Sequence, residues 1–527
     1  MKKKLCSLFF LLWAGTALSA QVFWTPADLR VREDAAGLPD LGRTLRLSGW
    51  RGETVMAQIA VAGVPGGSDE ALRADRSGTA PAAVPDDGAT FRIAFRGSLP
   101  ARHFEIGQLG YVVADSLNPD GSGCGHRPDH SLFDSLMVAD WIRIPDEPVY
   151  SFRPAGKTGL LWVEYRIPRD LAPGRYRADL DFLQDGRRTG TLRLELTVED
   201  RELPPAAQWN FHLDLWQNPY AVARTEGVPL WSEAHFAAMR PLMERLARAG
   251  QKVVTATLCD RPWNGQTEDE FKSMVRWTRR TDGGWDFGFE VFDRWVEFME
   301  SCGIDRQINC YSMVPWDLRF KYFDLASNDV RFIEGGPGTP AYDEAWTALL
   351  KAFAAHLREK GWMDKVCIAM DERPMETVRG AMDLVARADA AFKFSTQGYF
   401  HPEIEPMIHD YCVTYGGSFP ADVLARRKAE GKISTYYTCC TEGSPNTFTF
   451  SDPAEAALLP LEMVARGADG YLRWAYNSWT AAPFADSRFR TWASGDCYLV
   501  YPGDVSSVRF EKLFEGIQQA VKLQLPL

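Results

Sequence analysis

The sequence predicts a multidomain β plus α/β protein, an N-terminal β-sandwich followed by a (β/α)8 barrel of the TIM type. Three observations carry this. Up to about residue 200, short runs alternate apolar and polar residues and are broken by Gly, Pro and Asp, the pattern of antiparallel sandwich strands. Beyond about residue 208, apolar runs alternate with segments of helical period, as parallel α/β folds require. Between the two lies Arg201-Glu202-Leu203-Pro204-Pro205-Ala206-Ala207, where paired prolines make a stiff, extended linker.

The first 20 residues read as a secretory signal. Lys2, Lys3 and Lys4 precede an apolar segment from Leu5 to Trp13 and small residues up to Ala20, so cleavage is expected after Ser19 or Ala20. The mature chain is therefore expected in the periplasm or outside the cell. No later stretch is long and apolar enough to span a membrane. The formal net charge is −11, which argues against nucleic acid or an anionic membrane as partner. After the leader the cysteines are odd in number, so mostly buried thiols are expected, with room for one or two disulfides.

Residues 21–200 are assigned to the sandwich. Thr54–Val61, Thr90–Phe95, Gly159–Tyr165 and Thr191–Val198 show period-two patterning, and Pro173-Gly174 marks a turn between strands. Cys124, His126 and His130 lie in a Gly/Pro/Asp-rich segment. They lack a fourth ligand at zinc-like spacing, so no metal is expected.

Residues 208–527 are assigned to the barrel. Strands are expected at 209–216, 252–258, 306–313, 365–371, 392–399, 411–416, 432–439 and 469–476. Helices are expected at 232–249, 289–302, 341–360, 375–390, 403–409, 420–430, 453–466 and 507–522. Trp346, Leu349, Leu350, Phe353 and Leu357 repeat at helical spacing, which gives the 341–360 segment one apolar face. A doubly wound sheet is disfavoured, since no Gly-rich phosphate loop follows a strand.

In such a barrel, chemistry belongs to the residues that follow each strand. Those are Asp214 and Trp216; Asp260, Trp263 and Asn264; Tyr311 and Trp316; Asp371 and Glu372; Gln397; Tyr415; Tyr436 and Tyr437; and Trp474, Tyr476, Asn477 and Trp479. Carboxylates, amides and aromatics dominate, which suits the apolar faces and hydroxyls of sugars. The centre of attention is Val366-Cys367-Ile368-Ala369-Met370, a doubly buried strand pattern running into Asp371-Glu372. Pro374 is expected to open the next helix.

Serine and metalloprotease chemistries find no motif here, and no cofactor is expected. Paired carboxylates are the equipment of glycoside hydrolysis. A double displacement needs them about 5–5.5 Å apart, on opposite sides of the anomeric carbon. Adjacent residues at one strand end do not readily straddle a sugar in that way. One can protonate the leaving oxygen while the other orients a 2-acetamido group that attacks from within the substrate, an established exception to the two-carboxylate scheme. Two alternatives stand beside it: a conventional pair of Glu372 with Asp214, Asp260 or Glu442, and a glycan-binding barrel without turnover.

Long ordered segments resemble glycoside hydrolase family 123. They are Leu213–Tyr220, Gly250–Ala256, Ile308–Trp316, Met370–Pro374, Tyr437–Cys440 and Gly467–Asn477. The resemblance implies a β-sandwich before a (β/α)8 barrel and a retaining β-N-acetylgalactosaminidase acting on a GalNAc-terminated glycan or glycolipid. It implies Glu372 as general acid/base, Asp371 as acceptor of the acetamido N–H, and Tyr437 as donor to the acetamido oxygen. Three departures stand out. Thr435-Tyr436 replaces two tryptophans, Gly495-Asp496-Cys497 replaces Gly-Asp-Gly, and an acidic residue is missing near Gln519 in a short last helix.

Overall fold

The computed structural model describes residues 21–62, 89–115, 135–152, 158–490 and 492–526. The first 20 residues and the Cys124–His126–His130 group lie outside this set.

The N-terminal half contains β1 (Gln21–Thr25), β2 (Thr44–Arg51), β3 (Thr54–Ala62), β4 (Ala89–Gly97) and β5 (Phe104–Ala114). It continues with β6 (Leu136–Arg143), β7 (Val149–Phe152), β8 (Gly159–Arg166), β9 (Gly174–Gln184) and β10 (Arg187–Glu202). One sheet has the order β2-β10-β9-β4-β7, and a second contains β1-β3-β8-β5-β6. On β10, Leu192, Leu194, Leu196 and Val198 are buried at alternate positions, as a strand with one core face should be. They pack with Val55, Ala57, Ile59, Val61, Leu161 and Val163 of the second sheet.

The second sheet departs from the half-exposed pattern. Met56, Ala60, Leu160 and Trp162 point the other way and join the core of the C-terminal half. All but the last residue of β3 are buried, because this sheet is a middle layer covered on both faces.

The C-terminal half begins with β11 (His212–Leu215), α1 (Pro219–Glu226), α2 (Glu233–Arg248) and β12 (Val253–Thr257). Next come β13 (Arg276–Arg279), β14 (Trp285–Gly288), α3 (Glu290–Ser301), β15 (Gln307–Tyr311), β16 (Arg319–Asp324) and β17 (Asp329–Glu334). They are followed by α4 (Pro340–Lys360), β18 (Val366–Met370), α5 (Met375–Ala388), β19 (Lys393–Gly398) and β20 (Asp410–Thr414). The chain ends with α6 (Ala421–Ala429), β21 (Ile433–Tyr437), α7 (Pro453–Ala465), β22 (Gly470–Arg473), β23 (Ser506–Ser507) and α8 (Val508–Gln524).

Eight of these strands form one parallel sheet in the order β11-β22-β21-β20-β19-β18-β15-β12. Its two ends meet to give a nearly closed barrel. Leu213 bridges Gln251, and the Lys252 amide donates to Leu213 O at 3.0 Å. Where the strands splay, side-chain amides replace the backbone ladder. Gln251 Oε1 accepts the Leu215 amide at 2.9 Å, and Gln217 Oε1 accepts the Thr255 amide at 2.9 Å. Buried backbone groups are thereby satisfied.

Four features differ from expectation. The 403–409 segment forms only a 3-10 turn, Glu405–Met407, since Pro406 brings no N–H to a helix. Helix α1 was not anticipated, and neither was the sheet β14-β13-β16-β17 built from the segments after β12 and β15. Pro374 caps α5 from outside rather than occupying its first turn.

The two halves are joined by buried polar contacts. Arg509 of α8 reaches Asp140 of β6 at 2.9 Å, with both side chains buried, and β23 pairs with β6. Gln519, at the position lacking the acidic residue, donates to Glu53 at 2.8 Å, so the last helix is fully formed and docked. Among the described cysteines, Cys259, Cys302, Cys310, Cys367, Cys412 and Cys497 are buried free thiols, and Cys440 is disulfide-bonded. No helix of the described residues is long and apolar enough to cross a membrane.

Candidate active site

Because all eight barrel strands run the same way, their C-terminal ends share one rim. There the loops enclose a cleft of about 710 Å³. Strand β18 is wholly buried and delivers Asp371 and Glu372 to it. Asp371 Oδ1 accepts the Glu372 amide at 2.8 Å, and Oδ2 accepts Trp316 Nε1–H at 3.4 Å. Burial pushes the Asp371 carboxyl up, opposed by these donors and by the Arg373 guanidinium.

Glu372 points to Tyr437 at the end of β21, whose hydroxyl donates to Glu372 Oε1. Glu372 is open to solvent on one side, but desolvation by the cleft wall raises its carboxyl first, the neighbouring Asp371 adds to this, and the Tyr437 hydrogen bond opposes it. Burial and Glu372 push the Tyr437 phenol far up, so it remains a donor. Room for Glu372 comes from Gly398, which has a φ of +142°; a Cβ there would lie 3.4 Å from Glu372 Cγ.

Of the residues expected to bind substrate, Trp216, Trp316, Gln397, Tyr437 and Trp474 line the cleft. Trp263 and Tyr311 lie behind Trp216, with ring centroids 4.8 and 4.7 Å from it. Trp474 is held by Asp496 at 3.3 Å, which also pairs with buried Arg473 at 2.7 Å. The Gly495-Asp496-Cys497 departure therefore keeps its central carboxylate in a structural role.

Asp214, Tyr415, Asn477 and Trp479 do not line the cleft. Asp214 sits in the barrel interior within 3.4 Å of Asn309, and burial, then Asp410, raises its carboxyl strongly; it points inward because the strand pleat sends alternate side chains to opposite faces. Tyr415 donates to Glu462 at 2.5 Å under the Arg466 guanidinium. Asn477 exchanges two hydrogen bonds with the Asn218 backbone, each of 2.9 Å. Trp479 is fully buried and donates to Val500 O at 2.6 Å. Side-chain amides and large aromatics at strand ends serve loop-locking and packing as readily as ligands.

The cleft also contains residues that were not predicted as substrate contacts, among them Gln266, Tyr399, Thr414, Thr441, Glu442 and Trp492. Tyr399 directly follows β19, a position the strand-end rule would have flagged. Glu442 accepts from Thr414 Oγ1 at 3.1 Å and from the Cys439 amide at 2.9 Å. Asp260, in contrast, is taken by Lys321 at 3.1 Å and the Ser273 amide at 2.7 Å. No group of His, Cys, Asp and Glu among the described residues could hold a metal ion.

Residues 216–526 match the family model for the glycoside hydrolase 123 catalytic domain, and residues 91–183 match its N-terminal domain. A solved structure of a family 123 glycoside hydrolase from Clostridium perfringens, described in terms of glycolipid glycan hydrolysis, superposes with a TM-score of 0.82. It is 23% identical, over 96% of this chain and 88% of that one. A GH5 xyloglucanase from Bacteroides ovatus aligns over 91% of this chain and 98% of its own at 10% identity, with a TM-score of only 0.31. No curated protein matches. With its catalytic match covering more than half of its length, the chain belongs to glycoside hydrolase family 123.

Proposed function

We propose that the chain is an exported, retaining exo-β-N-acetylgalactosaminidase that removes terminal β-linked GalNAc from glycans or glycolipids. Its leader-like first 20 residues support export, and the nearly closed barrel is read as a (β/α)8 barrel. The observation that carries the reading is the division of labour within the Asp371-Glu372 pair. Asp371 turns toward Trp316, while Glu372 turns toward Tyr437. The substrate described for the C. perfringens relative, a glycolipid glycan, supports the same class.

In this mechanism, protonated Glu372 gives its proton to the glycosidic oxygen as the C–O bond breaks. The 2-acetamido oxygen attacks the anomeric carbon, forming an oxazolinium ion while the aglycone leaves as an alcohol. Asp371 accepts the acetamido N–H and stabilises the developing positive charge electrostatically. Glu372, now ionised, takes a proton from water that opens the ring and restores the β configuration. While Glu372 is protonated the Tyr437 hydroxyl donates to the acetamido oxygen, and once Glu372 is ionised it donates to that carboxylate.

Rates on 4-nitrophenyl β-GalNAc, β-GlcNAc and β-Gal test this reading. GalNAc is expected to be fastest, and comparable cleavage of the plain galactoside would overturn the acetamido mechanism. A conventional pair keeps one specific supporter: of its three candidate partners for Glu372, only Glu442 lines the cleft. Trapping of a covalent glycosyl adduct on Glu442 would establish that second reading in place of the first.

A further inference from the structure

The opposite end of the barrel, where the strands begin, holds a second cavity of about 610 Å³. Parallel topology brings the entry residue of every barrel strand to this mouth. Five of those eight are cations: Lys252 before β12, Arg306 before β15, Lys365 before β18, Lys393 opening β19 and Lys432 before β21. Lys428 at the end of α6 adds a sixth. The carboxylates in the lining are Asp364 and Asp469. This concentration runs against a chain whose net charge is −11.

Helix C-termini also gather at this end, and their dipoles favour cations. Neighbouring acids account for part of the ring. Glu300 holds Lys365 at 2.7 Å, Glu430 holds Lys432 at 2.8 Å, and Asp305 lies 3.8 Å from Arg306. Lys252, Lys393 and Lys428 have no such partner within 4.0 Å among the described residues. Lys252 donates to Ala206 O at 3.0 Å and Lys393 to Asp364 O at 2.6 Å. Each ammonium carries three donors, so two remain on each.

Of the three remaining entry residues two are histidines, and the third, Asp469 before β22, is a carboxylate that accepts the Ser434 amide at 2.8 Å. His212, opening β11, has a buried Nε2 with no hydrogen-bond partner, and its nearest carboxylate, Asp410, is 3.9 Å away. Burial, followed by Lys393, lowers His409 to about 4, so it is neutral at pH 7. Burial and the nearby Arg306 guanidinium lower Lys252 to about 8. A cation destabilised in this way is the condition that an anion relieves.

We propose that this mouth binds a tetrahedral oxyanion of the phosphate or sulfate class, held by Lys252, Lys393 and Lys428, at a site separate from the glycan cleft. Bonds between an ammonium and such an oxyanion are charge-assisted, and Lys binds phosphate as a point charge. Two sources share this chemistry: the free ion, and an anionic substituent on a sugar.

Calorimetric titration of the full chain with inorganic phosphate, inorganic sulfate and galactose 6-sulfate tests the proposal, with ionic strength held constant by sodium chloride. Saturable binding is expected, weakened roughly tenfold or more in a Lys393→Gln/Lys428→Gln variant. That variant alters partly or fully exposed side chains, and its hydrolytic rate should equal that of the parent, which separates this site from the cleft. Tighter binding of galactose 6-sulfate than of sulfate identifies a sugar substituent as the source, and the reverse order identifies the free ion. Absence of saturable binding by all three probes, or an unchanged Kd in the variant, overturns the proposal.

Discussion

Asp371 Oδ1 accepts the backbone amide of Glu372 at 2.8 Å. This bond turns two consecutive carboxyls away from each other, one toward the Trp316 indole and the other toward the Tyr437 phenol. Neighbours in sequence are thereby presented to different walls of one cleft.

Replacing the proposed acid, Glu372→Gln, should lower kcat/KM on glycans with unactivated leaving groups by about 10²–10⁴-fold. The loss should be smaller with 4-nitrophenyl substrates, whose leaving group needs less protonation. Initial rates on both classes decide it; full retention on glycans refutes the assigned role.

The pH profile offers a test of sign. In the proposed mechanism Glu372 works protonated, and desolvation by the cleft wall and Asp371 raise its pKa, so activity should fall as pH rises through that raised value. Asp371→Asn removes the negative neighbour and should move the alkaline limb to lower pH, with about a 10²–10³-fold loss in kcat. Tyr437→Phe removes the donor that stabilises the carboxylate and should move the limb to higher pH. Shifts of both limbs in the same direction would contradict the arrangement.

Tyr399 is 72% exposed, so its ring adds little to the fold. Tyr399→Ala should leave the melting temperature nearly unchanged while raising KM for glycans several-fold, since an aromatic contact is worth about 1 kcal/mol. An unchanged KM across glycan substrates would show that the ring has no part in binding.

Asp140 and Arg509 tie the sandwich to the last helix, and Tyr501 donates to the same carboxylate at 2.7 Å. Asp140 also holds the buried Arg30 guanidinium at 3.2 Å, so Asp140→Ala strands two buried guanidinium groups and should cost about 3–5 kcal/mol in denaturant unfolding, whereas Asp140→Asn, which keeps an acceptor for them, should cost less. Equal losses would mean that the acceptor at this position does not hold the two guanidinium groups.

Glu164 of β8 is raised by burial and then by Glu511 of α8, with Arg248 opposing. A carboxyl raised on folding binds a proton that the unfolded chain has already lost. Stability should therefore fall as pH rises from the unfolded carboxylate range through the raised folded value. Glu164→Gln should narrow the difference in melting temperature between pH 5 and pH 8, measured calorimetrically.

Much of the barrel was legible from local pattern. The Val366–Met370 run is apolar because β18 is covered on both faces, and long helices such as α4 declare themselves by period. The extra sheet β14-β13-β16-β17 escaped notice because its short strands pair across a long loop, and its apolar residues follow no extended repeat. That the second sheet is covered on both faces is not visible in its period-two pattern, because period alone does not reveal what covers the second face.

The cleft was legible to a similar depth. A carboxylate pair at the end of a buried strand needs only sequence order, and order alone made Asp371 and Glu372 the centre of attention. Depth was decided elsewhere. Asp214 falls inside the barrel and Glu442 at its mouth because strand pleat, shear and loop path set which way each side chain faces, and these depend on partners distant along the chain. The same holds for the ring of lysines at the far mouth. Its members are scattered from Lys252 to Lys432, and only closure of a parallel barrel brings their strands' entry points to one place.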